Sequence, residues 1–235
     1  KHAIEQVFES YIQRKFIEPV SKGKISHPNI QEFLVNANKR PAMEYYKNNC
    51  ISFFIPAAIA ALEILKIESF QFQAFDLHSG YAFQQNFFKY EFAYNVDKTP
   101  EYFVRKSIKA FIDDSALVPH ESLPDTYNVT SVGLKSLKLF SNFLKPYFES
   151  YLVVLNFLKE SSQKGIDAKD KINKIQALGN RMYKINEIER NEALSKVNYT
   201  NALDFFANKG IKGSEDTDKI AFYEDAIQKY LSCLQ

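Results

Sequence analysis

The stretch that most restricts the fold is residues 44–65, EYYKNNCISFFIPAAIAALEIL. Its middle, residues 48–62, carries no charge. That run is about three residues short of the ~18 that make a candidate membrane span. It also contains Pro56, which removes a helical hydrogen bond and crowds the preceding turn. The expectation is a buried, kinked core helix that starts near Pro41, a residue suited to a first turn, and ends near Lys66. At its head, Tyr45 and Asn49, and likewise Asn48 and Ser52, stand four apart, where side chains on a helix meet. Amides buried there need partners, because an unpaired buried polar group costs about 1–3 kcal/mol. Tyr45, Tyr46, Lys47, Asn48 and Asn49 therefore form either a structural polar network or a surface for a docking domain or ligand.

The surrounding chain is helix-rich in character. It has 235 residues with 21 Phe, 14 Tyr, no Trp and only 7 Gly, enough apolar mass for one large domain or two small ones and too few turn formers for a β sandwich. The predicted fold is mainly α with minor β: a multi-helix domain with two small winged-helix-like units. Residues 1–40 are expected to be linking helices. Residues 41–160 should form a helical core with the first winged-helix-like unit, and residues 161–235 a second, degenerate one. The polar segment SSQKG, residues 161–165, marks the boundary.

The periodicity predicts helices over residues 3–16 and 30–37, with SKGKISHPN as a loop between them. Residues 70–96 are aromatic-dense and read as mostly helical, with Phe83, Phe87, Phe88 and Phe92 as a core stripe. Thr99, Pro100 and Glu101 form a helix start, with cap, first-turn proline and acidic residue in order. Two short β-prone pieces within residues 116–130 precede a helix from Ser131, which Pro146 must split or bend. Further helices are predicted over residues 168–178, 185–196, 200–208 and 219–234. NALDFFANKGIKG echoes the earlier KAFIDDSALVP, which suggests the second winged unit.

Few residues suggest chemistry. HESLPD places His120 and Asp125 in an H-x4-D spacing, the arrangement of a histidine base on an acceptor hydroxyl with an orienting aspartate. The spacing resembles the signature of glycerolipid acyltransferases, a likeness that implies a phosphate-binding Phe-x-Glu-Gly segment downstream, and no Glu-Gly pair occurs. His120 sits in a proline-flanked ribbon, so this pair is read as a decoy and no catalytic residue is assigned. His27 with Glu32, and His78 near Asp76, lack a second His or Cys, so neither a metal site nor any other cofactor is expected. Cys50 and Cys233 read as reduced thiols. Arg105, Lys106 and Lys109 share a helix, but the formal net charge of +2 is too near balance for a nucleic-acid partner to be expected.

A family resemblance rests on four segments in order. YYKNN followed by an apolar helix with a central Pro-Ala resembles the YYRNN segment of membrane-associated glycerol-3-phosphate 1-O-acyltransferases, just beyond their catalytic domain. FFKYEFAYNVDKTPEYFVRKSIKAFIDDSALV, LKLFSNFLKPYFESYLVVLNFL and NALDFFANKGIKGSEDTDKIAFYEDAIQKYL are similar to the family's later helices. The resemblance spans about residues 41–231. Lys47 stands where the family has Arg, and Ser52 where it often has His. The family's H-x4-D and Phe-x-Glu-Gly motifs lie upstream of the YY helix, so HESLPD falls on the wrong side of it. The resemblance implies a non-catalytic C-terminal domain, inactive alone. Its implied partners are an upstream acyltransferase domain of the same polypeptide and a membrane surface. The parent's implied substrates are acyl-CoA or acyl-ACP and glycerol 3-phosphate, with peripheral placement on the cytoplasmic side of a membrane, the inner membrane in a bacterium. A chain starting at Lys1 without methionine fits a fragment or processed product. Two other readings are a winged-helix module for nucleic acid or protein, and a small lipid-binding protein.

Overall fold

The computed structural model describes residues 2–20, 32–95, 97–160 and 167–234; the side chains of residues 2–4, 40, 41 and 44–49 are not described. Helix starts follow their local chemistry. Thr99 caps α4 (Pro100–Asp113) and its hydroxyl accepts the Tyr102 N–H, with Pro100 in the first turn and Glu101 behind it. Thr130 caps α5 (Ser131–Ser141), accepting the Gly133 N–H at 2.8 Å. Each cap satisfies an amide that the first helical turn leaves without a partner.

The chain divides into two compact units, Lys1–Ser52 and Phe53–Gln235. The first holds α1 (His2–Gln13) and a hairpin of β1 (Ile17–Pro19) and β2 (Phe33–Val35), followed by the start of α2 (Arg40–Lys66). A helix was expected over residues 30–37; among the described ones, residues 33–35 are a strand. Phe-Leu-Val is an aromatic and β-branched run too short for its periodicity to separate helix from strand.

The second unit begins within α2, which continues through Pro56 to Lys66. Ala58 through Leu62 are fully buried there, as expected of a core helix. The segment from Phe70 is less helical than expected: β3 (Gln71–Gln73) comes first, then a 3-10 turn and α3 (His78–Phe87). β4 (Leu117–Pro119) and β5 (Thr126–Val129) follow α4, and β3 joins them in an antiparallel sheet of order β3-β5-β4. A 3-10 turn then separates α5 from α6 (Lys145–Glu160), with Pro146 in the first turn of α6, the split that the proline predicts.

α6 is the centre of the unit. It packs against α7 (Ala168–Lys184), α8 (Lys196–Asn208) and α9 (Thr217–Ser232). Its Phe148 and Tyr151 meet Phe87 and Phe88 with ring centroids 4.8–5.8 Å apart, and Phe205 of α8 closes on Phe87 at 4.9 Å. Of the predicted stripe, Phe87, Phe88 and Phe92 are buried. Edge-to-face and offset pairs add about 0.5–1.5 kcal/mol each beyond area burial, which gives this tryptophan-free chain an ordered core.

Helix stops explain both a missed boundary and the internal echo. α7 runs to Lys184 and stops on left-handed Asn186 (φ 58), with the Glu187 N–H bonded to the Met182 carbonyl at 2.9 Å. A helix over residues 185–196 was expected, but this stop leaves only a 3-10 turn at Asn191–Leu194. The same closure ends α4 through Ser115 (φ 59) and α8 through Gly210 (φ 73). The echo between the two segments is thus a shared stop. After α4 a strand follows; after α8 no strand is found among the described residues.

The closer repeat lies at the other end of the chain. α1 also stops this way, with Lys15 at φ 56 and the Phe16 N–H bonded to the Tyr11 carbonyl at 2.9 Å. The Asn36 N–H then reaches the Phe16 carbonyl at 3.0 Å, as the Thr130 N–H reaches Ala116 at 3.1 Å. Val20 bonds to Glu32, and His120 to Thr126, each at 2.9 Å. Pro19 faces Phe33, and Pro119 faces Tyr127. Helix, hairpin, helix therefore occurs twice with one hydrogen-bond pattern.

Candidate functional site

The helical backbone of α2 includes Tyr45, Tyr46, Lys47, Asn48 and Asn49, but their side chains lie outside the described residues. Immediately beyond them the helix surface is apolar. Phe53 is 81% exposed, and Phe54 packs between Phe140 and Phe143 at 6.4 and 6.0 Å. Leu139 on α5 is 67% exposed, and Lys135 and Lys138 on the same helix are exposed. Exposed apolar side chains therefore occur on both helices, and exposed lysines on α5.

The H-x4-D pair is not assembled. His120 Nδ1 accepts the N–H groups of Ser122 and Leu123, each at 3.2 Å, and so holds the hairpin turn. Asp125 sits at φ 51 with its carboxylate 3.8 Å from exposed Arg105. Among the described residues no hydrogen bond joins His120 to Asp125. Asp76 accepts the Gln73 N–H at 2.8 Å, and His78 stands edge-on to Phe75. His27 lies outside the described residues. No group of three or more His, Cys, Asp or Glu among the described residues is placed to hold a metal ion. Arg105, Lys106 and Lys109 lie on the solvent face of α4.

Three carboxylates that the sequence reading passed over hold the second unit together. Glu63 is 1% exposed within α2. It accepts Gln84 Nε2 at 2.6 Å and the Tyr230 hydroxyl at 2.9 Å, and it pairs with Lys66. Helices α2, α3 and α9 are thereby joined through one acid. The available signal was a single carboxylate in an otherwise apolar run. Glu149 on α6 accepts the Glu189 and Arg190 N–H groups, each at 2.9 Å, and Lys145 reaches Glu189 at 2.6 Å. Burial raises the Glu149 carboxyl above its ordinary range despite those two bonds.

Glu91 is a buried carboxyl of strongly altered acidity. Burial pushes its carboxyl up to about 7, against the lowering effect of its bond to Asn201 and of the nearby Tyr151 hydroxyl. The Asn201 amide lies 2.9 Å away. The nearby Tyr147 is itself raised to about 12, by burial first and then by the Glu91 charge. A carboxyl of this kind exchanges its proton near neutral pH, yet no second base or nucleophile is aligned on it among the described residues. The groove of about 460 Å³ lined by Leu158, Lys171, Leu203, Lys212 and Glu215 likewise presents no nucleophile–base pair among the described residues. None of the described helices is long and apolar enough to cross a membrane.

Comparison with known proteins agrees with the resemblance. The profile of the family described as "Glycerol-3-phosphate acyltransferase C-terminal region" matches residues 1–215. No curated protein matches the chain. The match covers both compact units and most of the aromatic core, and the chain therefore belongs to the glycerol-3-phosphate acyltransferase C-terminal region family.

Proposed function

We propose that the chain is a non-catalytic C-terminal domain that docks on the acyltransferase domain of the same polypeptide at a membrane surface. The parent enzyme would transfer an acyl group from acyl-CoA or acyl-ACP to the sn-1 hydroxyl of glycerol 3-phosphate, the first step of phospholipid synthesis. The family match over residues 1–215 carries this reading. The dispersed histidines support its non-catalytic part. The exposed Phe53, Phe54 and Leu139 and the exposed lysines of α5 support the docking part. The order of α4, the β4–β5 hairpin and α5 supports reading this part as a winged-helix-like docking module. Placement is peripheral, on the cytoplasmic face, where apolar side chains and cations act together at an anionic surface.

Acyl transfer to glycerol 3-phosphate tests it. The isolated chain should transfer none. In the parent polypeptide, His120→Ala should leave the rate unchanged, whereas Phe53→Asp with Leu139→Asp should reduce the membrane-bound fraction in vesicle flotation. Transfer by the isolated chain that vanishes in His120→Ala would overturn the reading.

A further inference from the structure

The repeated helix–hairpin–helix pattern leaves one position filled in the second unit and open in the first. In the second unit the outer edge of β5 carries β3. The Val129 N–H bonds to the Phe70 carbonyl at 2.7 Å, and the Ala74 N–H to the Asp125 carbonyl at 2.9 Å. Phe72 pairs with Tyr127, their rings 5.8 Å apart, and Phe72 is buried.

Tyr127 and Val129 correspond to Phe33 and Val35 of β2. The bonds from Asn36 to Phe16 and from Val20 to Glu32 fix which groups face β1. Antiparallel pairs alternate between bonded and non-bonded, so the pairs Ile17–Val35 and Pro19–Phe33 are non-bonded. The N–H and C=O groups of Phe33 and Val35 accordingly point away from β1. Among the described residues no strand pairs with that edge, and Leu34 and Val35 are 64% and 50% exposed. An open apolar edge is a template for another strand.

The geometry points to a third strand added antiparallel to β2, with an aromatic or large aliphatic residue opposite Phe33. It is supplied by polypeptide N-terminal to α1, because β3 likewise precedes the helix of its own repeat in the chain. This inference rests on the reading that the domain follows an acyltransferase domain. The added strand then ties the two domains by main-chain bonds, with the central apolar residue setting the register.

Residue-resolved amide exchange on the parent polypeptide tests it, with acyl transfer measured on the same sample. Without the strand, Leu34 is the one amide of Phe33–Val35 that β1 protects. With it, Phe33 and Val35 exchange at least about tenfold more slowly than in the 235-residue chain by itself. Val35→Pro removes an outward N–H and no β1–β2 bond, so it should restore fast exchange at Phe33 while Leu34 stays protected. Phe33 and Val35 exchanging equally fast in both polypeptides would overturn the inference. So would protection that grows with concentration of the shorter chain, which would assign the edge to a second copy. Protected amides in a parent without acyl transfer would refute the parent reading and leave the added strand standing.

Discussion

Gly133→Ala sets two effects of opposite sign against each other. Gly133 lies in the first turn of α5 and is buried. Helix propensity alone favours alanine over glycine by about 1 kcal/mol. A Cβ at this position, however, would come well inside 3.0 Å of the Ala116 carbonyl oxygen and of the backbone behind it. That oxygen is held on two sides: it accepts the Thr130 N–H at 3.1 Å and lies 3.3 Å from the Thr130 hydroxyl. Relief requires moving the α4–β4 turn away from α5, which costs about 1–3 kcal/mol of overpacking and strains a hydrogen bond worth about 1 kcal/mol. The clash exceeds the propensity gain, and the net effect is a loss of about 2 kcal/mol. Urea unfolding followed by circular dichroism and tyrosine emission should show a midpoint lower by about 0.5–1 M at unchanged slope. Exposed Val132 on the same helix provides the control, since Val132→Ala should leave the midpoint unchanged or slightly raised. A Gly133→Ala midpoint at or above the parent value would refute the close approach of α5 to the turn.

Two further outcomes concern the buried acids. Glu63→Leu leaves Gln84 and the Tyr230 hydroxyl without their shared acceptor and should cost about 3 kcal/mol, whereas Glu63→Gln keeps an acceptor and should cost less than half of that. Equal stability of Glu63→Leu and the parent in thermal unfolding would remove Glu63 from its joining role. For Glu91, both states hold the proton in acid; as pH rises from about 4.5 to about 7 the unfolded chain ionises first. Stability should therefore fall across that window by up to about 3 kcal/mol and level off above it. Glu91→Gln should flatten this part of the profile in urea titrations at several pH values, and an unchanged slope would show that Glu91 ionises normally.

Local chemistry in the sequence carried much of the fold. The Thr99-Pro100-Glu101 start, the β-prone pieces around Pro119 and Pro124, the split before Pro146 and the buried run through Leu62 depend on nearest neighbours and helical periodicity, which a sequence displays directly. Stops were less visible where the left-handed residue is not glycine: Asn186 is only a weak stop signal, and nothing in Lys15 by itself marks a helix end, since the closing bonds depend on the preceding turn. The strand at Phe33–Val35 was hidden for a related reason, because a three-residue apolar run takes its conformation from the partner strand.

The candidate site divides along the same line. That His120 and Asp125 lack a catalytic setting could be argued from missing companion motifs, and the four colinear segments already pointed to the family. The joining carboxylates could not be assigned from the sequence, because Glu63, Gln84 and Tyr230 belong to three different helices and acquire their roles only when these helices pack. The repeat of the helix–hairpin–helix unit was equally hidden, since YIQRKFIEP and FIDDSALVP share few side chains. Composition and periodicity thus determined a helical, aromatic-cored chain with short strands. Tertiary structure decided which polar groups are buried, which strand edge is covered and which is open, because burial and main-chain pairing are made between segments distant in sequence.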